Sequence, residues 1–436
     1  MKKTLDIFWA CCALFITNFA IAQNCVDGQP IRPTYTSAGT RWGAEGIALA
    51  GTDLFLPSSS SSPPAVCVMK PVSPNGYGQT QLISTGYIDC IAAEADTMVV
   101  GYGSSGNNGS VKIYRKQTNG TYALGATLSG PVSNEYFGYR VALSEDATTL
   151  AIGAQYAGAA PLGDSGKVYV YTRSVTTGAW TLLTSLTPQA GSVAYAQFGS
   201  SVSVSGTKIA VADKDTYGYV FSRSGNTYTQ QVRLTNSLAS TINYRPVIKL
   251  SGDWVWFQKY DHYDAFQQAV GATTWILKQT LILSSVAAWN FRSGRLATSQ
   301  SDPTYTRIRV RAYTQASTGS TWMNSFTADS ALTDDPGYIG DVAIQGDLIA
   351  TSAFDMDYGS GYDFGGGFIF DSVFNDCNGN GVRDECDIAG QTSHDSNGNA
   401  IPDECESLCR ADVNADGVIN GVDLSFVLSG WGNCPP

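Results

Sequence analysis

The residues with the clearest capacity for chemistry lie near the carboxyl terminus, where Asp and Asn recur at alternating positions. Calcium prefers hard oxygen ligands, which a tight loop presents at alternating positions, with a glycine at the turn and a carboxylate at the end. The segment 412–423 has this pattern and places Gly417 at the turn. We therefore predict a calcium loop whose ligands are Asp412, Asn414, Asp416, Val418 (through its carbonyl), Asn420 and Asp423.

Two earlier segments have the same register. Gly381 stands at the turn of the first, whereas Ala400 takes that place in the second. The predicted ligands of the first loop are Asp376, Asn378, Asn380, Val382 (through its carbonyl), Asp384 and Asp387. Those of the second are Asp395, Asn397, Asn399, Ile401 (through its carbonyl), Asp403 and Glu406. Three loops so rich in carboxylates repel themselves unless a cation neutralises them, and calcium is the one cofactor we predict.

The negative charge of the chain is concentrated in this tail. The whole sequence has 37 acidic and 26 basic residues, a net charge of −11. From Asp371 onward, 12 acidic residues stand against Arg383 and Arg410, a net of −10. The rest of the chain is nearly neutral. A nucleic-acid-binding protein needs a basic face, so we do not expect a nucleic-acid partner.

The amino terminus has the pattern of a secretory signal. Lys2 and Lys3 precede an apolar run over 7–21, and Ala20-Ile21-Ala22 is a small-x-small cleavage site. We predict a signal peptide over 1–22, bacterial export, and a mature chain that is secreted or held at the cell surface. An uncleaved membrane anchor is the alternative, but the run is short of the roughly 20 residues that span a bilayer.

Cysteine usage agrees with export. Ten cysteines are present, of which Cys11 and Cys12 fall in the signal. An even number in a non-cytoplasmic protein indicates disulfides, although their pairing stays open. The remaining eight are Cys25, Cys67, Cys90, Cys377, Cys386, Cys405, Cys409 and Cys434.

The body of the chain is repetitive. Before residue 370, short alternating apolar segments recur between Gly, Ser and Thr, which is typical of an all-β fold. A complete unit has a first segment such as 141–144, a second such as 150–153 and a third such as 168–171. A fourth segment then begins with an aromatic residue. These aromatic residues are Tyr122, Trp180, Tyr228, Trp275 and Trp322.

Seven such units, at intervals of roughly 50 residues, predict a seven-bladed β-propeller. Independent sandwiches are the alternative, but units of this size are too small for separate cores. The last unit lacks its fourth segment, so we predict that 31–36 supplies that strand and closes the ring. The predicted domains are the signal over 1–22, the propeller over 23–372, Cys-bearing Asp/Asn calcium repeats over 373–408 and a loop–helix unit over 409–436.

Two of the units resemble a known repeat. Phe137-Gly138, with the segments 141–144, 150–154 and 166–171, is similar to the FG-GAP repeat of integrin-α-like propellers, and Phe198-Gly199 repeats the match. Members of that family often carry an Asp-x-Asp-x-Asp-Gly calcium loop between the second and third strands. The corresponding loop at 155–165 lacks it, and only 355–357 is suggestive. The resemblance therefore implies a propeller without implying metal in its blades.

The tail resembles two calcium modules. Its Cys-bearing loops are similar to thrombospondin type-3 repeats, in which metal and disulfides replace a core. The segment 409–434 resembles half of a dockerin, as found at the ends of planctomycete-type secreted proteins, and Leu424, Val427, Leu428 and Trp431 follow its EF-hand loop at helical spacing. Because a dockerin has two such units and only one is present, a cohesin-like partner and cell-surface anchoring both stay open.

Few residues suggest catalysis. His262 and His394 are the only histidines, and no nucleophile elbow, zinc-binding pair or phosphate loop is present. Two carboxylates suffice for a glycosidase, but the candidates cannot be paired from sequence. They are Glu45, Glu94, Glu135 and Asp213.

The leading hypothesis is a non-enzymatic binding or adhesion propeller for an extracellular protein or polysaccharide, carried on a calcium-stabilised anchor. The alternative is a carbohydrate-active enzyme, a glycosidase or polysaccharide lyase, attached through the dockerin-like end. The two differ in what the structure should contain. An enzyme needs two carboxylates that converge in the axial cleft, whereas a binder needs only an aromatic-lined face.

Overall fold

A computed structural model describes residues 28–34, 40–72, 76–104, 108–158, 163–189, 193–214, 216–238, 245–301, 307–315, 321–330, 338–354, 356, 364–371, 384–396, 401–405, 421–422 and 424–425. The chain divides into two compact units. One is Asp27–Ser372, and the other is Met1–Val26 together with Val373–Pro436.

The larger unit is a seven-bladed β-propeller, as predicted. Its first strand is β1 (Gln29–Ile31), and the remaining strands follow in six groups of four and a last group of three. The first three groups are β2 (Ala48–Ala50), β3 (Asp53–Ser58), β4 (Ala65–Pro71) and β5 (Tyr77–Ser84); β6 (Cys90–Glu94), β7 (Thr97–Tyr102), β8 (Ser110–Lys116) and β9 (Tyr122–Ser129); and β10 (Arg140–Leu143), β11 (Thr149–Ala154), β12 (Lys167–Arg173) and β13 (Trp180–Leu186).

The next three groups are β14 (Ser201–Ser205), β15 (Lys208–Ala212), β16 (Tyr217–Ser224) and β17 (Thr227–Thr235); β18 (Val247–Ser251), β19 (Trp254–Lys259), β20 (His262–Gln268) and β21 (Trp275–Ile282); and β22 (Ala288–Arg292), β23 (Arg295–Ser301), β24 (Ile308–Gln315) and β25 (Trp322–Asp329). The last group is β26 (Ile339–Gln345), β27 (Leu348–Ala353) and β28 (Gly366–Asp371). Each blade is an antiparallel four-stranded sheet, and we number the blades from β2 onward.

Burial falls from the second strand of a blade to the fourth. Every residue of β3, β7 and β11 is buried, because each sheet packs between two neighbouring sheets. The fourth strands β9 and β21 start with a buried aromatic residue and then expose most of their side chains. The aromatic-led segments seen in the sequence are therefore the outer strands of the blades.

The ring closes as predicted, through β1. This strand pairs antiparallel with β28, so that Gln29 faces Ile369 and Ile31 faces Gly367. It completes blade 7, and Ile31 is fully buried in the core. The strand ends at Ile31, so it lies just before the predicted 31–36. Proline has no backbone N–H to donate. Pro30 is tolerated because β1 is an edge strand that pairs with β28 on one side only.

The Phe-Gly pairs connect consecutive blades. Phe137 and Phe198 are fully buried, and they form parallel bridges to Gly109 and Gly166 at the start of the preceding blade's third strand. Gly138 adopts φ +97°, and a Cβ there would lie 2.4 Å from the Ser110 carbonyl oxygen. Only glycine fits such an approach. The Phe-Gly motif thus fixes the spacing between blades.

Two cysteines differ from expectation. Cys67 in β4 and Cys90 in β6 are buried free thiols, not half-cystines. Burial raises the pKa of each thiol to about 12, so both fill space in the core and are unreactive. In the tail, Cys405 is disulfide-bonded.

The second unit contains more helix than expected. Helix α1 spans Asp384–Ala389 and includes Asp384 and Asp387, the last two predicted ligands of the first Asp/Asn segment. Residues 421, 422, 424 and 425 are also helical. No helix in the described part of the chain is long and apolar enough to cross a membrane.

Candidate functional site

All strongly exposed tyrosines of the described chain lie on one face of the propeller. Successive strands run antiparallel, so the connections between blades and the connections between second and third strands emerge on the same side. We call this side the tyrosine face. Its exposed members lie in five different connections, and they are Tyr87 (56%), Tyr136 (38%), Tyr195 (62%), Tyr260 (50%) and Tyr338 (69%).

Further aromatic contacts order these connections. The ring of Tyr136 lies 4.6 Å from that of Tyr156, and Tyr338 stacks on Phe354 at 5.9 Å with an interplanar angle of 19°. The guanidinium of Arg41 lies 5.0 Å from the Phe354 ring centroid. The tyrosine face therefore presents rings held by neighbouring rings and cations.

A narrow polar channel runs along the axis of the ring. Its cavity of about 120 Å³ is lined by the first strand of every blade. The middle residue of these strands is small in five blades, and Lys249 in β18 and Asn290 in β22 are the exceptions. The small residues are Ala48, Ala92, Ala142, Ser203 and Ala343.

Strand β18, which carries Lys249, is fixed by hydroxyl groups of the preceding blade. The backbone N–H groups of Ile248 and Leu250 donate to Ser201 Oγ (3.2 Å) and Ser203 Oγ (2.9 Å). Ser205 Oγ accepts in the same way, at 3.0 Å, from the Gly252 N–H in the turn that follows β18. The alternation of Ser and Val in β14 thus places serines toward β18, and β18 is held rigidly in the channel wall.

The end of the channel away from the tyrosine face is crossed by an ion pair. Arg292 of blade 6 and Glu94 of blade 2 meet with Nη1 and Oε1 2.5 Å apart, although the two blades are not neighbours. Burial raises the pKa of Glu94 to about 8, against the attraction of Arg292, and the charge of Glu145 adds to the rise. The pair therefore closes this end of the channel, although burying the charged form of Glu94 costs free energy.

The end toward the tyrosine face holds opposite charges that are not in contact. Asp341 lies near the start of β26 and lines the channel. Its Oδ1 accepts from the Val342 N–H at 2.8 Å. Lys249 forms neither a hydrogen bond nor an ion pair with the described residues. Burial in the channel lowers the pKa of Lys249 and raises that of Asp341, and their mutual attraction opposes both shifts. Arg140 adds a second positive charge nearby.

Of the four carboxylates suggested by the sequence, only Glu94 lines the channel. Glu135 accepts from Tyr169 Oη at 2.6 Å, and Asp213 accepts from the N–H groups of Thr216 and Tyr217. Glu45 accepts from the Ser59 N–H at 3.1 Å. These three carboxylates therefore order loops and contacts between strands.

The two histidines also have structural surroundings. His262 Nδ1 lies 2.8 Å from Asp261 Oδ1 in the turn that leads into β20. The His394 carbonyl accepts from the Asp403 N–H at 2.7 Å. Neither ring lines the axial channel.

The channel residues that sequence reasoning missed are Lys249, Asn290, Arg292 and Asp341. Lys249 carried a signal, because it stands between two apolar residues in a segment whose other copies have Ala or Ser there.

The predicted calcium ligands are described only in part. Asp384 and Asp387 are buried within α1, and Asp387 Oδ1 accepts from Thr392 Oγ1 at 2.8 Å. Asp403 accepts from the Ser396 Oγ and N–H, which lowers its pKa. No cluster of three acidic, Cys or His side chains occurs among the residues with described positions.

Asp395 and Ile401 are also described. The other predicted ligands lie outside the described residues, and they are Asp376, Asn378, Asn380, Val382, Asn397, Asn399, Glu406, Asp412, Asn414, Asp416, Val418, Asn420 and Asp423.

The fold is a seven-bladed β-propeller, and one stretch of it matches a known repeat. The family model of the FG-GAP repeat matches residues 126–171, which run from β9 through β12. The match includes Phe137-Gly138, the pair that bridges two blades. Among curated proteins, none is significantly similar to this chain.

Solved structures give further likenesses. A periplasmic gluconolactonase of Pseudomonas aeruginosa is 12% identical, with 70% of this chain and 96% of that chain covered at a TM-score of 0.46. A proposed 6-phosphogluconolactonase of Bacteroides uniformis is 12% identical, with 65% and 83% covered at a TM-score of 0.48. Sqt1 of Saccharomyces cerevisiae is 11% identical, with 75% and 84% covered at a TM-score of 0.45.

These comparisons correct one expectation from the sequence. The preference for a non-enzymatic protein is not upheld, because the similar structures include proteins named as lactonases. At this identity and these TM-scores the likenesses bring no activity, substrate or catalytic residue to this chain.

Proposed function

We propose that this chain is an exported propeller that binds an extracellular polysaccharide on its tyrosine face, and that its calcium-binding tail attaches it at the cell surface. The observation that carries the proposal is the segregation of exposed tyrosines. Five of them, in five connections, share the face at which the axial channel opens. Tyr supplies rigid contact area with a polar tip, and it is enriched in binding surfaces for that reason.

A polysaccharide suits this face better than a protein does. The tyrosines are distributed around the ring in separate connections, so they do not build one apolar patch of the kind that marks a protein interface. A sugar chain, with apolar ring faces and polar edges, can contact such rings one at a time. The channel, at about 120 Å³, is below the several hundred Å³ of a typical ligand pocket. The chain of the polymer would therefore lie across the face, and only a small group could enter the channel.

Catalysis on such a ligand is a second candidate, favoured by one observation. Asp341 lines the channel at the end toward the tyrosine face, and burial raises its pKa. A carboxyl group with a raised pKa can serve as a general acid. Release of reducing ends from a bound polysaccharide, lost in Asp341→Asn, would establish this version.

The test of binding uses full-length mature protein in affinity electrophoresis against a panel of neutral and acidic polysaccharides. Replacing Tyr87, Tyr195 and Tyr338 by Ser should abolish retardation by the polysaccharide that binds. The matched control replaces Val175 and Val270 by Ser, because these residues are 85% and 101% exposed and lie on the opposite face. Equal retardation of both variants and the original protein would contradict a tyrosine-face site.

A further inference from the structure

We propose that the axial channel binds a carboxylate, and that Lys249 is the residue that receives it. The inference rests on the proposed function, because it names the chemical group of the ligand that enters the channel from the tyrosine face. The acid group can belong to a free hydroxy acid or to the terminal sugar of an acidic polysaccharide.

The first step is the position of Lys249. Equivalent positions in four other blades hold Ala, so neither the strand nor the blade contacts need a long side chain there. The lysine head therefore projects into a channel whose wall is otherwise small. Bringing an ammonium group into a narrow cavity costs free energy unless an oxygen-bearing partner replaces its water. Such a partner would restore the pKa that burial lowers.

The second step is charge. The groups that act on Lys249 electrostatically are one anion, Asp341, and two cations, Arg140 and Arg292. Arg292 already contacts Glu94, with Nη1 and Oε1 2.5 Å apart, so it is directed to the far end of the channel. Around Lys249 the cations thus outnumber the single anion, and the complement is a further anion. Asp341 would repel an additional carboxylate on the ligand. It can instead accept a hydrogen bond from a hydroxyl group of that ligand.

The third step is size and access. A cavity of about 120 Å³ holds several waters or one small organic acid, since a single water needs about 10–15 Å³ of such space. Because the Glu94–Arg292 pair crosses the far end, the ligand enters from the tyrosine face, past Asp341. The amide of Asn290, which donates to the Val342 carbonyl at 2.9 Å, lies on the wall next to Lys249 and has a second N–H to offer.

Calorimetric titration of the full-length mature protein tests this, with glycolate, acetate, ethylene glycol, digalacturonate and the neutral digalactose as ligands. We expect an acid to bind and its neutral analogue to bind at least tenfold more weakly. Lys249→Ala should fold, because four blades have Ala there, and should lose at least tenfold in affinity for the acid. Lys278→Ala, which removes the same charge from an exposed site on β21, should bind like the original protein. Asp341→Asn should reduce the preference for glycolate over acetate.

The outcomes separate the two proposals and the two sources of the acid. Binding of glycolate identifies a free hydroxy acid, whereas binding of digalacturonate alone identifies the acid of a sugar chain. Equal affinity of acids for Lys249→Ala and the original protein would overturn the inference. Tyrosine-dependent binding of neutral polysaccharides without any acid would also overturn it, while leaving the proposed function standing. Failure of every polysaccharide and every acid would overturn both.

Discussion

At the scale of single residues, the pair that closes the channel is the most informative. Glu94 lies at the end of β6 and Arg292 at the end of β22, so nearly two hundred residues of chain separate the partners. Burial outweighs the attraction of Arg292 and raises the pKa of Glu94 from 4.5 to about 8. In a more exposed site, a guanidinium in contact with a carboxyl group would lower the pKa of that carboxyl group.

The raised pKa predicts how stability depends on pH. Between pH 4.5 and 8 the folded chain retains a proton on Glu94 that the unfolded chain has lost. The stability from this group is therefore complete below pH 4.5 and is lost as the pH rises through 8. Glu94→Gln, which cannot lose a proton, should show a flatter decline in unfolding temperature over this range. Asp253→Asn, at a 66% exposed side chain, should keep the original slope. A Gln variant with the same slope as the original protein would show that Glu94 does not titrate there.

Single residues were also the level at which the sequence predicted least about the site. Glu94 was a candidate, but Arg292 and Asp341 were not, because the three side chains share one channel only when the ring closes. The charged residues of the channel come from blades 2, 3, 5, 6 and 7. Pairing across such distances depends on the number of blades and on the register between them. Lys249 and Asn290 are the two channel residues that depart visibly from their repeat.

At the scale of elements, prediction was much more successful. Alternating segments, short turns and aromatic-led fourth strands follow from the side-chain period of a half-buried sheet, and all recur in the structure. The closing strand was displaced by a few residues, since β1 pairs through Gln29–Ile31 and its register depends on β28. In the tail, α1 was missed because six residues are too few to show helical periodicity.

The Phe-Gly connection makes a testable element. Gly138→Ala should lower the unfolding temperature, because φ +97° is strained for alanine and its Cβ would press on the Ser110 carbonyl. The backbone strain alone costs about 1–2 kcal/mol. Gly163→Ala is the matched control, since nothing lies within 4 Å of its Cβ and its φ is ordinary. It should change stability by less than about 0.5 kcal/mol. Equal unfolding temperatures for the two variants would mean that the bridge to Gly109 contributes little to holding the blades.

At the scale of the whole molecule, charge separates the two units. The tail carries a net charge of −10, whereas the rest of the chain is nearly neutral. We expect a segment with so many carboxylates to gain its fold from cations and disulfides instead of a core. Calcium should therefore stabilise the tail and leave the propeller, with its seven closed blades, almost unaffected.

Calorimetry of the full-length mature protein, with disulfides intact, measures this directly. Titration should detect the uptake of up to three calcium ions, and thermal scans with a chelator should lose a low-temperature transition while the main transition stays in place. At a calcium concentration one hundred times the dissociation constant, each site adds about 2.7 kcal/mol to its unit. Replacing Asp412 and Asp416 by Ala should remove one site, whereas replacing Asp253 in the propeller should remove none. Absence of any calcium uptake would leave the tail's acidity without a ligand and would contradict all three loops at once.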